Sequence, residues 1–183
     1  MNRDQAMRIL KEYTKSESLL KHAYAVEAAM RAYADKFNGD TELWGAVGLI
    51  HDFDYEMYPD EHPYKGSEIL KEKGISEDIR KTILSHAEFT GVPRESLMAK
   101  TLFAVDELSG FVTAVTLVRP SKALSEVKVK SVKKKLKDKS FAAKVNRDEI
   151  RKGAEELAVD FDEHIIFVVK AMSNVAGDLG LNP

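Results

Sequence analysis

Helical spacing of apolar residues runs along nearly the whole chain, and it limits the possible folds more than any other feature of the sequence. Leu19, Val26 and Tyr33 recur every seven residues, which keeps them on one face of a helix. No segment shows the strict alternation expected of a half-buried strand. The sequence therefore predicts an all-α fold, a single-domain helical bundle over residues 1–183. Turn signals with glycine or proline separate several of the further apolar stripes, which occupy 79–86, 95–117, 129–136 and 161–172.

The composition is that of a globular protein, with 44% hydrophobic and 32% charged residues. No stretch approaches the roughly 18 uninterrupted apolar residues of a membrane-spanning helix, so no membrane partner is expected. The first residues, MNRDQAMRILKEY, lack the apolar core and cleavage site of a signal peptide. The chain contains no cysteine, so any bound metal must use nitrogen and oxygen ligands. A cytoplasmic location is expected from these features.

The net charge of −2 conceals an uneven distribution of charge. Residues 121–145 contain nine lysines and two acids, a net charge of +7, so the remainder of the chain carries −9. Within this segment Val129, Val132 and Leu136 keep helical spacing, which predicts a helix that docks on the body of the protein. Two interpretations of the lysines stay open at this point: they hold substrate phosphates, or they form a solvated helix face.

Polar residues occupy several positions on the apolar stripes. His22 and His86 each share a helix face with apolar residues, and the dipeptide His51-Asp52 ends an apolar helix. A single buried histidine is ordinarily explained by a hydrogen bond to a backbone carbonyl. Asp106 lies within an apolar helix, and a buried carboxylate without a cation costs roughly several kcal/mol. Asp106 therefore needs either a metal or a buried lysine or arginine as its partner.

Taken together, these residues predict a metal site in the core of the bundle. Helices that each contribute an inward histidine or aspartate converge readily in a bundle, where such sites are commonly built. Four of the five histidines lie between positions 22 and 86. Imidazole and carboxylate ligands suit a divalent transition metal, namely Mn, Fe, Co, Ni or Zn.

The order His22, His51-Asp52 and Asp106 resembles the H…HD…D signature of the HD superfamily of metal-dependent phosphohydrolases. The resemblance covers about residues 18–120, and the C-terminal third is similar to an uncharacterised bacterial branch of the same superfamily. It implies an HD-domain type of bundle in which these four residues hold one divalent metal. It also implies that Asp52 can bridge to a second ion.

A second metal is implied by the same resemblance. His62 and His86 fall where two-metal branches of the superfamily place two further histidines, giving the order H…HD…H…H…D. Some members of that type hydrolyse nucleotide polyphosphates or cyclic dinucleotides. The sequence departs from the common HDIG form because Asp54 stands where glycine is usual, and the gap between Asp52 and His62 is short. One or two ions are therefore expected.

The expected reaction is hydrolysis of a phosphate ester or anhydride by metal-activated water. Asp52 and Asp54 are the predicted catalytic residues. For Asp54 and the nearby Glu56 two roles stay open: a general base within reach of the water, or a group that only orients ligands or solvates the loop. Positive groups are needed near the transferred phosphoryl group, and the candidate substrate-binding residues are Lys65, Arg119, Lys122 and Lys133.

The predicted substrate is a small phosphorylated molecule of the nucleotide class. The alternatives are a non-catalytic helical signalling domain and a nucleic-acid-binding domain that uses the lysine-rich segment. Nucleic acid is disfavoured because no aromatic residues are interleaved with the lysines and the chain as a whole is slightly acidic. The sequence does not indicate an oligomeric state.

Two further expectations concern residues outside the predicted site. His164 is interpreted as an ordinary surface histidine near a helix start. The aromatic residues expected to lie in the core rather than to bind substrate are Trp44, Phe103, Phe111 and Phe161.

Overall fold

Ten α-helices and two short 3-10 turns account for the regular structure of residues 1–182, which a computed structural model of the protein describes. No β-strand occurs among these residues, which confirms the predicted all-α class. Within the same range, no helix combines the length and hydrophobicity needed to cross a membrane. The helices are α1 (Arg3–Tyr13), α2 (Glu17–Lys36), α3 (Thr41–Ile50), α4 (Tyr64–Glu72), α5 (Glu77–Leu84), α6 (Leu97–Leu117), α7 (Val129–Leu136), α8 (Arg147–Glu156), α9 (Phe161–Ser173) and α10 (Ala176–Leu179).

Side-chain caps fix the starts of several helices. Asp40, which directly precedes α3, accepts a hydrogen bond from the Leu43 amide at 2.9 Å. Asn146 and Asp160 cap α8 and α9 in the same way, each accepting from two backbone amides. Ser76, a residue type that favours the cap position, precedes α5 without a capping hydrogen bond from its side chain. Local sequence thus sets most of these boundaries.

The two longest helices, α2 and α6, pack against each other at the centre of a single compact domain. Helix α3 packs on α2, whereas α8 and α9 pack on α6. Gly153 of α8 permits a close crossing, because a Cβ there would lie 2.6 Å from the Ala104 Cα of α6. The direct contact of α2 with α6 brings His22 of the first helix within 2.9 Å of Asp106 of the second.

The lysine-rich segment folds as predicted. Val132 and Leu136 of α7 are buried, and α7 packs against α6 and α9. Lys133 is exposed and pairs with Asp162 of α9, with 2.8 Å between Nζ and Oδ1. The segment is therefore a docked amphipathic helix, and its lysines form the outer face.

The interpretation of His164 as a surface residue is wrong. The residue is buried on α9, where its Nε2 donates to the Ala104 carbonyl at 2.9 Å and its Nδ1 accepts from the Tyr33 hydroxyl at 2.6 Å. Burial lowers the pKa of His164 to about 4, so the ring is neutral. Its acidic sequence neighbours point elsewhere on the helix, and this is why the local sequence misled.

The aromatic predictions are confirmed for three residues out of four. Trp44, Phe103 and Phe111 are buried in the core. Phe161 is only partly buried, because it opens α9 at the edge of the core. None of the four lines the cleft described below.

Candidate metal centre

Six side chains from five parts of the chain meet at one end of the α2–α6 contact. His22 lies on α2 and Asp106 lies midway along α6, as predicted. His51 and Asp52 follow the last residue of α3, so the apolar helix ends at the site. The remaining two ligands are His62, in the loop before α4, and His86, in the turn after α5. The expectation that His86 shares the helix itself is wrong, because α5 ends at Leu84.

The first group of potential ligands consists of His22, His51, Asp52 and Asp106, whose donor atoms lie within 4.8 Å of one another. Asp106 Oδ1 lies 2.9 Å from His22 Nε2 and 3.3 Å from His51 Nε2. Asp52 Oδ2 lies 3.5 Å from His51 Nε2 and 4.0 Å from His22 Nε2. Ligands held about 2.1 Å from a common ion are separated by about 3.0 to 3.4 Å when adjacent and by up to about 4.2 Å when opposite, so these spacings fall in the range of a metal polyhedron.

The second group consists of Asp52, His62 and His86. The Nε2 atoms of His62 and His86 each lie 3.2 Å from Asp52 Oδ1. Asp52 therefore belongs to both groups and turns one carboxylate oxygen towards each. This is the arrangement of a bridging carboxylate between two ion positions.

Hydrogen bonds at the Nδ1 atoms aim three of the rings. His51 Nδ1 donates to the Gly48 carbonyl at 2.8 Å, and His86 Nδ1 donates to the Ile83 carbonyl at 2.5 Å. His62 Nδ1 donates to Asp54 Oδ1 at 2.7 Å. Because each partner is an acceptor, Nδ1 carries the proton and Nε2 presents a lone pair to the centre. Metal-bound histidines are characteristically held in this way.

His51 provides the test of whether these residues fit a cation. Its Nε2 is buried and has no hydrogen-bond partner, although two carboxylates face it. A lone pair directed at carboxylates is repelled unless a positive charge lies between them. No lysine or arginine pairs with Asp106 among the described residues, where its ionic partners are His22 and His51. A divalent metal satisfies all of these groups together.

The carboxylates and imidazoles also shift one another's pKa values. Burial by itself raises the pKa of Asp52, but the facing histidines outweigh it and hold this pKa well below its usual range. Asp106 is affected in the same direction by His51 and His22. Burial lowers the pKa of His62, but Asp52 and Asp54 outweigh it and raise the pKa to about 9. The carboxylates are therefore stabilised by positive charge beside them, which either protons on the histidine rings or a metal ion supplies.

An open cleft of about 360 Å³ leads to this centre. Five of the six potential ligands line its floor, whereas His51 is fully buried behind them. Burial and the neighbouring Asp106 raise the pKa of Glu107, on the cleft wall, to about 7. The other walls of the cleft include Tyr55, Glu88, Phe89, Asn146 and Glu149.

Asp54 supports the centre from behind. Its side chain is 1% exposed and accepts from His62 Nδ1 and from the Gly66 amide, both at 2.7 Å. Glu56 is turned away and accepts from the backbone amides of Lys15 and Ser16. Of the two roles considered for these acids, the geometry favours orientation of a ligand for Asp54, and Glu56 attaches the loop to the connection between α1 and α2.

The predicted substrate-binding residues do not line the cleft. Lys65 pairs with Glu68 at 3.2 Å, and Arg119 pairs with Glu126 at the same distance. Lys122 is exposed beyond the C-terminal end of α6. Lys133 makes its contact with α9, as described above. Their role in substrate binding stays a prediction that this arrangement does not favour.

Sequence reasoning missed the remaining cleft residues. Glu107 follows a predicted ligand directly, and Phe89 stands three residues after another, so proximity in sequence was an available signal for both. Asn146 and Glu149 come from the distant α8 region and carry no such signal. Their position depends on the packing of α8 against α6.

Fold and site together define an all-helical protein with a candidate His/Asp metal centre for one or two ions. No protein-family model matches the sequence, and no solved structure matches the chain. A functional assignment must therefore come from the residues of the site.

Proposed function

We propose that the protein is a metal-dependent phosphohydrolase of the HD type that acts on a small phosphorylated molecule of the nucleotide class. The observation that carries this proposal is the position of Asp52 between two groups of ligands, with one oxygen towards each. Paired ion positions that share a carboxylate are typical of enzymes that displace phosphate esters. The motif order His22, His51-Asp52, Asp106 supports the same class.

The division of roles follows from the contacts. A divalent metal, when bound, lowers the pKa of bound water and polarises a phosphoryl oxygen. Asp52 fixes the spacing of the two ligand groups and is partly exposed to the cleft, where a substrate enters. Asp54 keeps His62 in the orientation that directs Nε2 to the centre. His51 and Asp106 are held by neighbours on α3 and α2, so the first group is rigid.

The proposal is tested by metal analysis and phosphate release on the same preparations. Protein purified without chelator or histidine tag is analysed by elemental mass spectrometry, beside the double variants His22→Ala/Asp106→Ala and His62→Ala/His86→Ala. We expect each double variant to lose the metal of its own group and to lose hydrolysis of a panel of nucleotides. His164→Gln is the matched control, because it removes a buried histidine from outside the site.

The alternative functions give different results. A non-catalytic domain would bind metal yet release no phosphate from any member of the panel. A nucleic-acid-binding domain would bind oligonucleotides with an affinity that falls steeply with salt and survives metal removal. Absence of metal after incubation with Mn, Fe, Co, Ni and Zn would refute the hydrolase. A cytoplasmic location is part of the proposal.

A further inference from the structure

Exposed aromatic side chains flank the mouth of the metal cleft. Phe89 and Tyr55 line it and are 69% and 45% exposed. Phe89 has the largest exposed fraction of any large hydrophobic side chain in the described residues. Tyr64, 49% exposed, supports Phe89 from outside the cleft, with ring centroids 6.3 Å apart. Exposed aromatic rings grouped beside a polar centre are typical of a ligand-binding surface.

Local contacts fix the backbone at Phe89 and orient the ring of Tyr55. Phe89 belongs to the 3-10 turn Glu88–Thr90, and the Thr90 hydroxyl donates to the carbonyls of Leu84 and Ala87 at 2.9 and 2.8 Å. The Tyr55 ring packs edge-on against the His62 ring, with 5.4 Å between the ring centroids. Exposed aromatic rings are suited to stacking with a planar ring of a ligand.

The charge of the cleft limits the rest of the ligand. Within residues 1–182, its lining contains no lysine or arginine. The nearby cations Arg94 and Lys152 are engaged by Glu88 and Glu156. A phosphate held at the metal centre has histidine and metal partners, whereas a second or third phosphate would meet acidic walls whose lining offers it no cation.

A second cavity adjoins the cleft and is the competing place for a substrate's organic part. It measures about 650 Å³ and shares His22 and Gly110 with the cleft. Its apolar lining is aliphatic, from Leu117, Leu179 and Leu181. It offers volume but no aromatic face, and Lys21 is its only positive lining residue among those described.

We propose that Tyr55 and Phe89 form the binding site for the planar ring of a substrate that carries a single phosphate, as a nucleoside monophosphate does. This inference rests on the phosphohydrolase function proposed above and narrows its substrate. Phosphate binds at the metal centre, the ring stacks at the mouth, and the walls disfavour polyphosphates.

The test compares substrates that differ in one part only. Steady-state hydrolysis is measured for a nucleoside monophosphate, for ribose 5-phosphate, which lacks the planar base, and for the matching nucleoside triphosphate. In Phe89→Ala we expect the ratio of kcat/KM for the nucleoside monophosphate over ribose 5-phosphate to fall by roughly 5- to 100-fold, the range for stacking on one aromatic residue. Phe89→Trp should restore the ratio, and Leu117→Ala, in the second cavity, should leave it unchanged.

Several outcomes would overturn the inference. An unchanged kcat/KM ratio in Phe89→Ala would show that the planar ring does not bind at the mouth. A fall of the ratio in Leu117→Ala instead would show that it binds in the second cavity. Equal or better hydrolysis of the triphosphate would show that the acidic walls do not select for a single phosphate. If no substrate is hydrolysed, the proposed phosphohydrolase function is refuted. Calorimetric binding of the nucleoside monophosphate to metal-loaded wild type and to Phe89→Ala then tests separately whether Phe89 binds the planar ring. Equal affinities there would also overturn it.

Discussion

Replacement of Asp54 by asparagine should weaken one half of the metal centre and spare the other. The two oxygens of Asp54 satisfy two buried donors, His62 Nδ1 and the Gly66 amide, each at 2.7 Å. Asparagine has one acceptor oxygen, and its NH₂ group would face the other donor. Either a buried donor loses its partner or His62 turns, and both results misdirect its Nε2.

The magnitude follows from what such supporting contacts contribute. Loss of a hydrogen-bonded partner behind a metal ligand typically lowers metal affinity 10- to 100-fold, which corresponds to about 1.4 to 2.8 kcal/mol. We therefore expect Asp54→Asn to lower the affinity for an ion at Asp52, His62 and His86 by this amount. An ion bound at His22, His51 and Asp106 would have no contact with Asp54, so the affinity of that position should stay within about twofold.

Calorimetric titration of metal-free protein with Mn²⁺ or Zn²⁺ measures both affinities. Glu56→Gln is the matched control, because it removes one charge from the same loop while its contacts are to the amides of Lys15 and Ser16. Equal weakening of both ions in Asp54→Asn would refute the reasoning. So would a single bound equivalent whose affinity the substitution leaves unchanged.

The remaining predictions concern stability. The pKa of His164 lies at about 4 against 6.5 for a free ring, so the unfolded state takes up the proton first and stability falls as the pH drops from about 6.5 towards 4. Between about pH 8 and pH 5 this residue should account for a loss of about 2 kcal/mol, and urea unfolding should show a correspondingly smaller loss in His164→Gln; equal losses in both proteins would contradict the prediction. Gly153→Ala should lower the free energy of unfolding by about 1 to 2 kcal/mol, since overpacking against Ala104 outweighs the gain in helix propensity. Gly177→Ala, where nothing lies within 4 Å of the added methyl group, is its control and should be neutral or stabilising; equal effects of the two substitutions would argue against the close crossing.

The helices and the six potential ligands could be found in the sequence because the relevant signals are local. Apolar spacing and caps such as Asp40 depend on residues within a few positions of each other, and α2, α3 and α6 formed close to where these signals predicted. His22, His86 and Asp106 were visible because they are chemically out of place on apolar stripes, whereas His62 lies in a loop and followed only from the resemblance to the order H…HD…H…H…D. Their order added a known motif. The convergence of all six in two groups agrees with that reasoning.

The surroundings of the site were beyond local signals, because they depend on which helix faces meet across the chain. Lys133 has the same charge whether it faces the cleft or Asp162, and only the docking of α7 against α9 settles its direction. Asn146 reaches the cleft because α8 packs on α6, which depends on Gly153. His164 became buried because Tyr33 and the Ala104 carbonyl, distant in sequence, offer its ring both partners that it needs. Periodicity identifies the buried side of a helix, but the partner that covers this side is determined by long-range packing.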